Sequence, residues 1–200
     1  MKHILCGNPN TGKTTFLNSL TASNEHVGNW HGVTVDFLEK NYKLNGEENI
    51  IVDLPGLYSL TSFSFEEEVA RDYIYFNNDP IINLVDSNNL SRNLYLTLQL
   101  METDVPIVLA LNMMDIAKRE GYIVDVKTLK DLTKLPVVEI SALKNDNIDR
   151  LLKVLKNYLN DNVKYYEDGV ITNTSRYFMA SEFVREKILH LTKEEVSHAV

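Results

Sequence analysis

The residues with the clearest chemical pattern lie near the beginning of the chain. Residues 7–14 match the pattern G-x-x-x-x-G-K-[ST], directly after a short apolar run and at the start of a helical pattern. Glycines in this pattern let successive backbone N–H groups turn toward phosphate oxygens, and the helix N-terminus adds its dipole. Lys13 neutralises phosphate charge, and the Thr14 hydroxyl is placed to bind Mg²⁺. The residues assigned to nucleotide binding here are Gly7, Asn8, Pro9, Asn10, Thr11, Gly12, Lys13, Thr14 and Thr15.

A second candidate segment, residues 53–56, closes a later apolar run. A carboxylate at the carboxyl end of a strand faces the same crevice as a phosphate-binding loop in an open α/β sheet. Asp53 is therefore predicted to bind Mg²⁺ through a water molecule, and the turn at Gly56 to offer a backbone N–H to a γ-phosphate. A plain turn after a strand is the alternative for this segment taken alone. The nucleotide-binding residues assigned here are Asp53, Leu54, Pro55 and Gly56.

Two further segments carry groups suited to a purine base. Asn112 and Asp115 follow the apolar run 107–111, and a carboxylate accepts hydrogen bonds from N1–H and the 2-amino group of guanine, which adenine lacks. The segment that begins at Ser141 follows the last apolar run and offers a backbone N–H to the guanine O6. Each motif alone is common, but four in this order, each at a strand end, favour a guanine-nucleotide site. The base-binding residues assigned are Asn112, Met113, Asp115, Ser141, Ala142 and Leu143.

The loop that precedes Thr34 is predicted to be a nucleotide-sensing switch. Residues 24–32 are rich in Gly and Asn, so this loop can order and disorder at modest cost. Thr34 is the candidate for direct Mg²⁺ coordination, because a hydrolysing switch senses the γ-phosphate from such a loop. Glu25, His26 and His31 are potential transition-metal ligands, but solvated loop side chains are the favoured interpretation, since a metal site needs convergent, hydrogen-bonded ligands.

Short apolar runs alternate with helical patterns along the chain, as in stacked βα units with a mostly parallel sheet. The pair Asn45-Gly46 predicts an antiparallel hairpin, so the sheet is mixed. The predicted fold is therefore α/β, with helices on both faces of a mixed, mostly parallel six-stranded sheet and a C-terminal helix. Strands are predicted over 3–6, 33–42, 49–53, 81–85, 107–111 and 137–140. Helices are predicted over 13–20, 65–76, 92–102, 126–132 and 147–159.

The last part of the chain is predicted to lie outside the main domain. Residues 1–160 are expected to form the nucleotide-binding domain and 161–174 a polar linker. Residues 175–200 are expected to contain an appended helix that starts a truncated second domain, because 177–191 resume a helical pattern.

Composition limits the classes of partner and compartment. The chain has 200 residues, of which 44% are hydrophobic and 24% charged, as in one globular domain. Its formal net charge of −8 disfavours nucleic acid as a partner, because the phosphate backbone is repelled. A single cysteine, Cys6, forms no internal disulfide, and no apolar run approaches the roughly 20 residues that cross a bilayer. These features predict a cytoplasmic location and leave the oligomeric state open.

The four motifs together resemble the small-GTPase-like family of phosphate-loop NTPases, over about the first 160 residues. The resemblance implies a Ras-like G domain that binds GTP and GDP with Mg²⁺ and hydrolyses GTP. Leu57 stands where Ras-type enzymes carry the glutamine that orients the attacking water, so hydrolysis is expected to be slow. In GTPases without that glutamine, an asparagine at the position of Asn10 is similar to the ligand of an activating K⁺; an ordinary loop-stabilising asparagine is the equally weighted alternative. The residues expected to contribute to catalysis are Asn10, Lys13, Thr34 and Gly56.

Longer stretches resemble one family within this class, the cytosolic G domain of the bacterial ferrous iron transport protein B. The resemblance runs from residue 3 to about 138 and implies a regulatory domain at the cytoplasmic face of the inner membrane. The partner implied is the membrane part of an iron transporter encoded beyond this chain. The stretches that carry the resemblance are 7–14, 27–30 with 32–35, 53–60, 67–73, 85–96 and 110–115.

From about residue 140 onward the sequence resembles a different family. Residues 165–166, 175–177, 180–189 and 193–200 are similar to the segment that joins the G domain of the Era-type ribosome-assembly GTPase to its RNA-binding KH domain. These residues contain no Gly-x-x-Gly loop of a KH domain. Two alternatives to an iron-transport G domain therefore stay open: an Era-type GTPase that lacks its KH domain, and a guanine-nucleotide sensor without enzymatic activity.

Overall fold

The computed structural model of the chain describes residues 1–20, 25–29, 36–44, 46–61, 64–103 and 105–162. The strands within these ranges are β1 (Lys2–Gly7), β2 (Glu25–Asn29), β3 (Asp36–Leu44), β4 (Glu47–Asp53), β5 (Ile81–Asp86), β6 (Ile107–Asn112) and β7 (Val137–Glu139). The helices are α1 (Lys13–Ser19), α2 (Phe65–Phe76), α3 (Leu90–Leu100), α4 (Met114–Arg119), α5 (Val126–Thr133) and α6 (Ile148–Asn162). Across the same ranges, no helix has both the length and the apolar character that a membrane crossing requires.

The strands form one sheet in the order β2-β3-β4-β1-β5-β6-β7. From β4 to β7 along this order neighbouring strands run parallel, whereas β3 pairs antiparallel with both β2 and β4. The parallel strands therefore end at one edge of the sheet. Their last residues are Gly7, Asp53, Asp86, Asn112 and Glu139. The predicted site residues that the structure describes lie at these strand ends, in the loops that follow them, and in the first turns of α1 and α4.

Apolar side chains cover both faces of the sheet, because successive residues of a strand point to opposite faces. On β1, Ile4 and Cys6 are buried in the same cluster as residues of α2 and α3. Leu5, between them, is buried in the cluster that contains residues of α1 and α6. Helices thus pack on both faces, and the predicted α/β phosphate-loop NTPase fold is confirmed.

The described sheet contains seven strands, one more than the six predicted. The additional strand is β2, which the sequence analysis assigned to the switch loop. Its sequence, EHVGN, lacks the alternation of a half-buried strand, and it is held by antiparallel pairing with β3, in which Val27 lies opposite Leu38. The hairpin predicted at Asn45-Gly46 is present between β3 and β4, with Leu44 opposite Glu47 and a φ of 84° at Gly46.

The predicted helices over residues 13–159 are present, with changes at their ends. α4, between Met114 and Arg119, was missed, although it has Asp115 in its first turn and Lys118 and Arg119 in its last, as the helix dipole favours. α6 continues to Asn162, beyond the predicted boundary at residue 160. Most of the predicted linker and the appended helix lie outside the described residues, and the domain division stays a prediction.

A buried histidine of β1 is hydrogen-bonded to a buried tyrosine of β3. The Nδ1 atom of His3 and the Tyr42 hydroxyl form a hydrogen bond of 2.8 Å, and both side chains are almost fully buried. Burial, together with the positive charge of the chain's amino terminus, lowers the pKa of His3 from 6.5 to about 4. The imidazole is therefore neutral in the folded protein at pH 7.

Stability is expected to fall on acidification because of this histidine. Between pH 6.5 and pH 4 the unfolded chain binds a proton at His3 that the folded chain does not, so the free energy of unfolding decreases as the pH falls. From pH 7.5 to pH 5 the expected loss is about 2 kcal/mol. Urea unfolding of the wild type and His3→Gln at both pH values measures it. Glutamine does not titrate and keeps a polar partner for Tyr42, so an equal loss in both proteins would contradict the assignment.

Candidate functional site

The loop between β1 and α1 is a tight turn. Asn10 and Gly12 have φ values of 65° and 90°, a left-handed conformation that asparagine and glycine tolerate best. The Thr11 hydroxyl donates a hydrogen bond to the Asn8 carbonyl oxygen at 2.9 Å. α1 begins at Lys13, directly after Gly12. The strand, tight loop and helix predicted around this motif are thus present.

Two glycines allow other segments to lie against this loop. A Cβ atom on Gly12 would lie 2.5 Å from Asn112 Nδ2. A Cβ atom on Gly56 would lie 2.9 Å from Pro9 Cγ and 3.0 Å from the Pro9 nitrogen. Real Cβ atoms do not approach neighbours this closely, so a larger residue at either position would push the segments apart. The segment after β4 and the end of β6 are therefore in contact with the loop.

Lys13 and Asp53 form the charged centre of the site. The Lys13 ammonium donates hydrogen bonds to the carbonyl oxygens of Gly7 at 3.3 Å and Asn8 at 3.5 Å. Burial lowers the pKa of Lys13, and the Asp53 carboxylate partly offsets this effect. Burial raises the pKa of Asp53 from 3.8 to about 6, against the opposing effect of Lys13. Asp53 is ionised at neutral pH, and burial leaves both side chains poorly solvated, which strengthens their interaction with a charged ligand.

The segment after Asp53 is anchored by its leucines. The Leu54 and Leu57 side chains are buried in the core shared with α2 and α3. The Leu54 N–H donates to the Leu5 carbonyl oxygen, and the Leu57 N–H to that of Gly7, each at 3.1 Å. Leu54 was assigned to nucleotide binding, and its N–H and side chain are both engaged within the protein. Leu57 was expected to be unable to orient water, and its side chain is moreover turned into the core.

Asn112 joins three segments of the site. Its Nδ2 donates a hydrogen bond to the Thr11 carbonyl oxygen at 2.8 Å. Its Oδ1 accepts one from the Ala142 N–H at 2.9 Å. Asn112 is almost fully buried, so these bonds are shielded from water. One side chain therefore fixes the phosphate-binding loop relative to the loop after β7.

Asp115 lies in the first turn of α4, and each oxygen of its carboxylate has a polar neighbour. Its Oδ1 accepts a hydrogen bond from the Ser141 hydroxyl at 2.9 Å, and its Oδ2 lies 3.8 Å from the Lys144 ammonium. Burial alone would raise the pKa of Asp115, but the Ser141 hydrogen bond, backbone donors and Lys144 outweigh it and hold the pKa below its usual value. The carboxylate is thus ionised and retains lone pairs for a further donor.

Ser87 supports the same region and was missed by the sequence analysis. Its hydroxyl donates to the Asn112 carbonyl oxygen at 2.6 Å, and its N–H donates to the same oxygen at 3.1 Å. The hydroxyl also lies 3.0 Å from Met114 Sδ. The sequence offered one signal for this role, which was the position of Ser87 directly after the last residue of β5. The sheet register alone, with Asp86 opposite Asn112, brings Ser87 to this place.

The remaining predicted residues have different environments. Thr14 and Thr15 are exposed in the first turn of α1, and Leu143 is exposed after β7. Met113 has a φ of 63° and precedes α4. Thr34 and His31 lie outside the described residues, and the side chains of Glu25 and His26 are likewise not described. The predicted Thr34 and metal-ligand assignments in this loop therefore stay predictions.

The structure brings together, at one edge of the sheet, all four motifs that the sequence analysis singled out. A phosphate-binding loop lies between β1 and α1, Asp53 ends β4, and the Asn112 and Ser141 segments are joined by hydrogen bonds. This fold and this arrangement define a G domain of the phosphate-loop GTPase class.

Comparison with known proteins identifies the family within this class. The sequence profile of the family described as ferrous iron transport protein B matches residues 1–155. The chain belongs to this family. The Fe(2+) transporter FeoB of Salmonella typhimurium (strain LT2) is 44% identical over 166 residues, which are 80% of this chain and 22% of that protein. The chain thus spans less than a quarter of the length of this relative.

Solved structures give the same result. The FeoB G-domain from Methanococcus jannaschii is 42% identical, with a TM-score of 0.71, and the match covers 80% of this chain and 97% of that one. A mutant of the S. thermophilus NFeoB bound to GDP is 38% identical, with a TM-score of 0.75, and the match covers 97% of this chain and 74% of that one. The resemblance of the last residues to the Era-type linker stays a prediction.

Proposed function

We propose that this chain binds guanine nucleotides, hydrolyses GTP slowly with Mg²⁺, and regulates a ferrous iron transport system as its cytosolic G domain. The observation that carries the proposal is the pair of Asn112 hydrogen bonds, at 2.8 and 2.9 Å, which hold the phosphate-binding loop beside the Ser141 loop. The phosphate chain and the guanine base belong to one nucleotide, so the two loops that bind them must be held at a fixed separation. The GDP in the S. thermophilus relative supports the choice of ligand.

Thr14, Thr34 and Asp53 are proposed to hold the Mg²⁺ ion. Hydroxyl and carboxylate oxygens suit this hard cation. Asp53 Oδ1 is buried and has no hydrogen-bond partner among the described residues, which fits a ligand group for the ion or for one of its waters. Bound Mg²⁺ supplies positive charge to the β- and γ-phosphate oxygens.

The chain's own residues supply the rest of the proposed chemistry. Lys13 binds the β- and γ-phosphates through its ammonium group, and the Gly56 N–H contacts the γ-phosphate. No side chain orients the attacking water at position 57, because Leu57 is buried in the core. Hydrolysis is therefore slow, unless a cation or a partner stabilises the developing charge.

Asn10 is proposed to bind an activating K⁺ ion through its amide oxygen. Asn10 is exposed on the loop and has a φ of 65°. This conformation also suits a loop-stabilising asparagine, so the two roles must be separated by experiment. Alanine would be strained at this φ, whereas glycine tolerates it and removes the amide group together with the rest of the side chain.

Phosphate release under multiple turnover tests the proposed function and the role of Asn10 together. We expect release from GTP but not ATP, its loss when Mg²⁺ is chelated, and a severalfold faster rate in K⁺ than in Na⁺ at equal ionic strength. Asn10→Gly is expected to lose the K⁺ response and keep its affinity for GDP. Equal rates in both salts, or a K⁺ response that persists in Asn10→Gly, would show that Asn10 does not bind an activating K⁺ ion.

The same assay separates the enzyme from a sensor without activity. Tight GTP binding with no phosphate release in either salt would favour the sensor, which the burial of Leu57 makes a specific second candidate. Equal affinity for ATP and GTP would contradict the guanine assignment altogether.

The partner proposed for this domain is the membrane part of an iron transporter encoded beyond this chain, with the domain at the cytoplasmic face of the inner membrane. The proposed division places the G domain in residues 1–160 and a linker and appended helix in 161–200. A net charge of −8 supports the expectation that nucleic acid is not a partner.

A further inference from the structure

The segment that follows Gly56 is fixed to helix α3. Leu57 and Leu60 are buried in the same cluster as Leu96 and Leu100 of α3. At the other end, Gly56 lies against Pro9 of the phosphate-binding loop, at a distance that leaves no room for a Cβ atom. The segment 57–60 therefore bridges the nucleotide site and α3.

Two polar contacts also join this segment to α3. The Leu60 N–H donates a hydrogen bond to Gln99 Oε1 at 2.7 Å. The Arg92 guanidinium carbon lies 4.4 Å from the centre of the Tyr58 ring, within the range of a cation–π interaction. Arg92 and Gln99 are two helical turns apart, so they lie on one face of α3. This face therefore holds the segment at two points.

The Gln99 contact is the stronger of the two. Leu60 is 7% exposed, so water has little access to its N–H, which would lose its acceptor if the Gln99 amide were removed. Tyr58 is 41% exposed, and water weakens its interaction with Arg92. Loss of Gln99 is therefore expected to disturb the segment more than loss of Arg92.

We propose that Gln99 and Arg92 are positioning residues for γ-phosphate recognition, because they hold the segment 57–60 and thereby set the position of the Gly56 N–H. This inference rests on the proposed function. GDP has no γ-phosphate, so its binding does not depend on where the Gly56 N–H lies. The two residues thus act on the triphosphate state selectively.

A matched set of variants of the 200-residue chain tests the proposal. Gln99→Met removes the acceptor and keeps the side-chain length, whereas Gln99→Glu keeps an acceptor for the Leu60 N–H. Leu98→Met, at an exposed neighbouring position, is the control. We expect Gln99→Met to weaken binding of the non-hydrolysable analogue GMPPNP by about fivefold to tenfold and to lower kcat for GTP similarly. Its affinity for GDP changes less than twofold, and Gln99→Glu restores both properties.

The Arg92 contact is tested by a double-mutant cycle with Tyr58. Arg92→Met and Tyr58→Leu are each expected to weaken GMPPNP binding about twofold to threefold, and the double variant no more than either single one. Additive losses of GMPPNP affinity would show that Arg92 and Tyr58 act independently, and would contradict the role proposed for Arg92.

The outcomes separate this inference from the proposed function. Equal losses of GDP and GMPPNP affinity in Gln99→Met, or no loss of either, would overturn the inference even if the wild type hydrolyses GTP. A wild type that releases no phosphate would contradict hydrolysis alone, because the ratio of GMPPNP to GDP affinity still tests Gln99. A selective loss for GMPPNP supports the inference in either case.

Discussion

Replacing Lys13 by alanine is expected to lower the affinity for GTP by a factor on the order of 100 or more. Lys13 is partly buried at the end of the phosphate-binding loop, and its ammonium donates to the Gly7 and Asn8 carbonyl oxygens at 3.3 and 3.5 Å. It is thus held in place before a ligand arrives, and little side-chain entropy is lost when it binds the phosphates. Burial also weakens its hydration, as its lowered pKa indicates, so an anionic phosphate gains more from it than from a surface lysine.

Titration with fluorescent GTP and GMP analogues measures this effect. Affinity for GMP should change much less, because Lys13 is proposed to bind the β- and γ-phosphates. Lys153→Ala, at an exposed position of α6, controls for the loss of one positive charge. Thermal unfolding without nucleotide checks that the loop variant still folds. GTP affinity within threefold of the wild type would show that Lys13 does not bind the phosphates.

The order of elements and the central parallel strands could be predicted because apolar runs and turn residues are local signals. β6 is a fully buried run, β5 is buried except for its last residue, and the hairpin between β3 and β4 was signalled by the sequence pair Asn45-Gly46. β2 could not be predicted in the same way. Its pairing with β3 is a long-range contact at the sheet edge, and its sequence has neither apolar alternation nor an apolar run.

The site motifs were found for a similar reason. Each lies where a strand ends, and a parallel sheet brings those ends together whatever the details of packing. The hydrogen bonds between the motifs carry no such signal. Asn112 bonds to Thr11 and Ala142, which lie 101 and 30 residues away in the chain. Only the register of the sheet places their atoms within reach, and the same holds for the contact of Ser87 with Asn112.

Side-chain direction was the second quantity that sequence could not supply. Leu57 has a residue type that excludes a hydrogen bond to water, and this was evident from the motif. That Leu57 and Leu60 point into the core, and that Leu60 donates to Gln99, depends on the position of α3 against the sheet. The motif at residues 53–60 could therefore be recognised in the sequence, but only the structure shows how these residues are attached to α3.

Exchange of Asp115 for asparagine is expected to change the base preference from guanine to xanthine. The Asp115 carboxylate is ionised, because the Ser141 hydrogen bond and Lys144 hold its pKa low despite burial. It is proposed to accept from N1–H and the 2-amino group of guanine. An asparagine amide group would meet those donors with its own N–H, and the unpaired groups would lower GDP affinity by a factor on the order of 100 to 1,000.

The orientation of the new amide follows from its neighbours. The Ser141 hydroxyl donates to Oδ1 at 2.9 Å and accepts from the Lys144 N–H at 3.3 Å, so its only proton is directed at position 115. An asparagine oxygen would therefore face Ser141, and its NH₂ group would take the place of Oδ2, where it can donate to the 2-oxo group of xanthine. Removal of the Ser141 proton donor in Asp115→Asn with Ser141→Ala should weaken this preference.

Competition of XDP and GDP for the wild type and Asp115→Asn measures the change of preference. Asp131→Asn, at an exposed position of α5, makes the same charge change away from the site and is expected to keep guanine. Because Oδ2 of Asp115 lies 3.8 Å from the Lys144 ammonium, the variant also loses a weak ion pair, which lowers affinity for both bases alike and leaves their ratio unaffected. The ratio is thus the decisive quantity: if Asp115→Asn binds GDP and XDP in the same proportion as the wild type does, Asp115 does not contact the base.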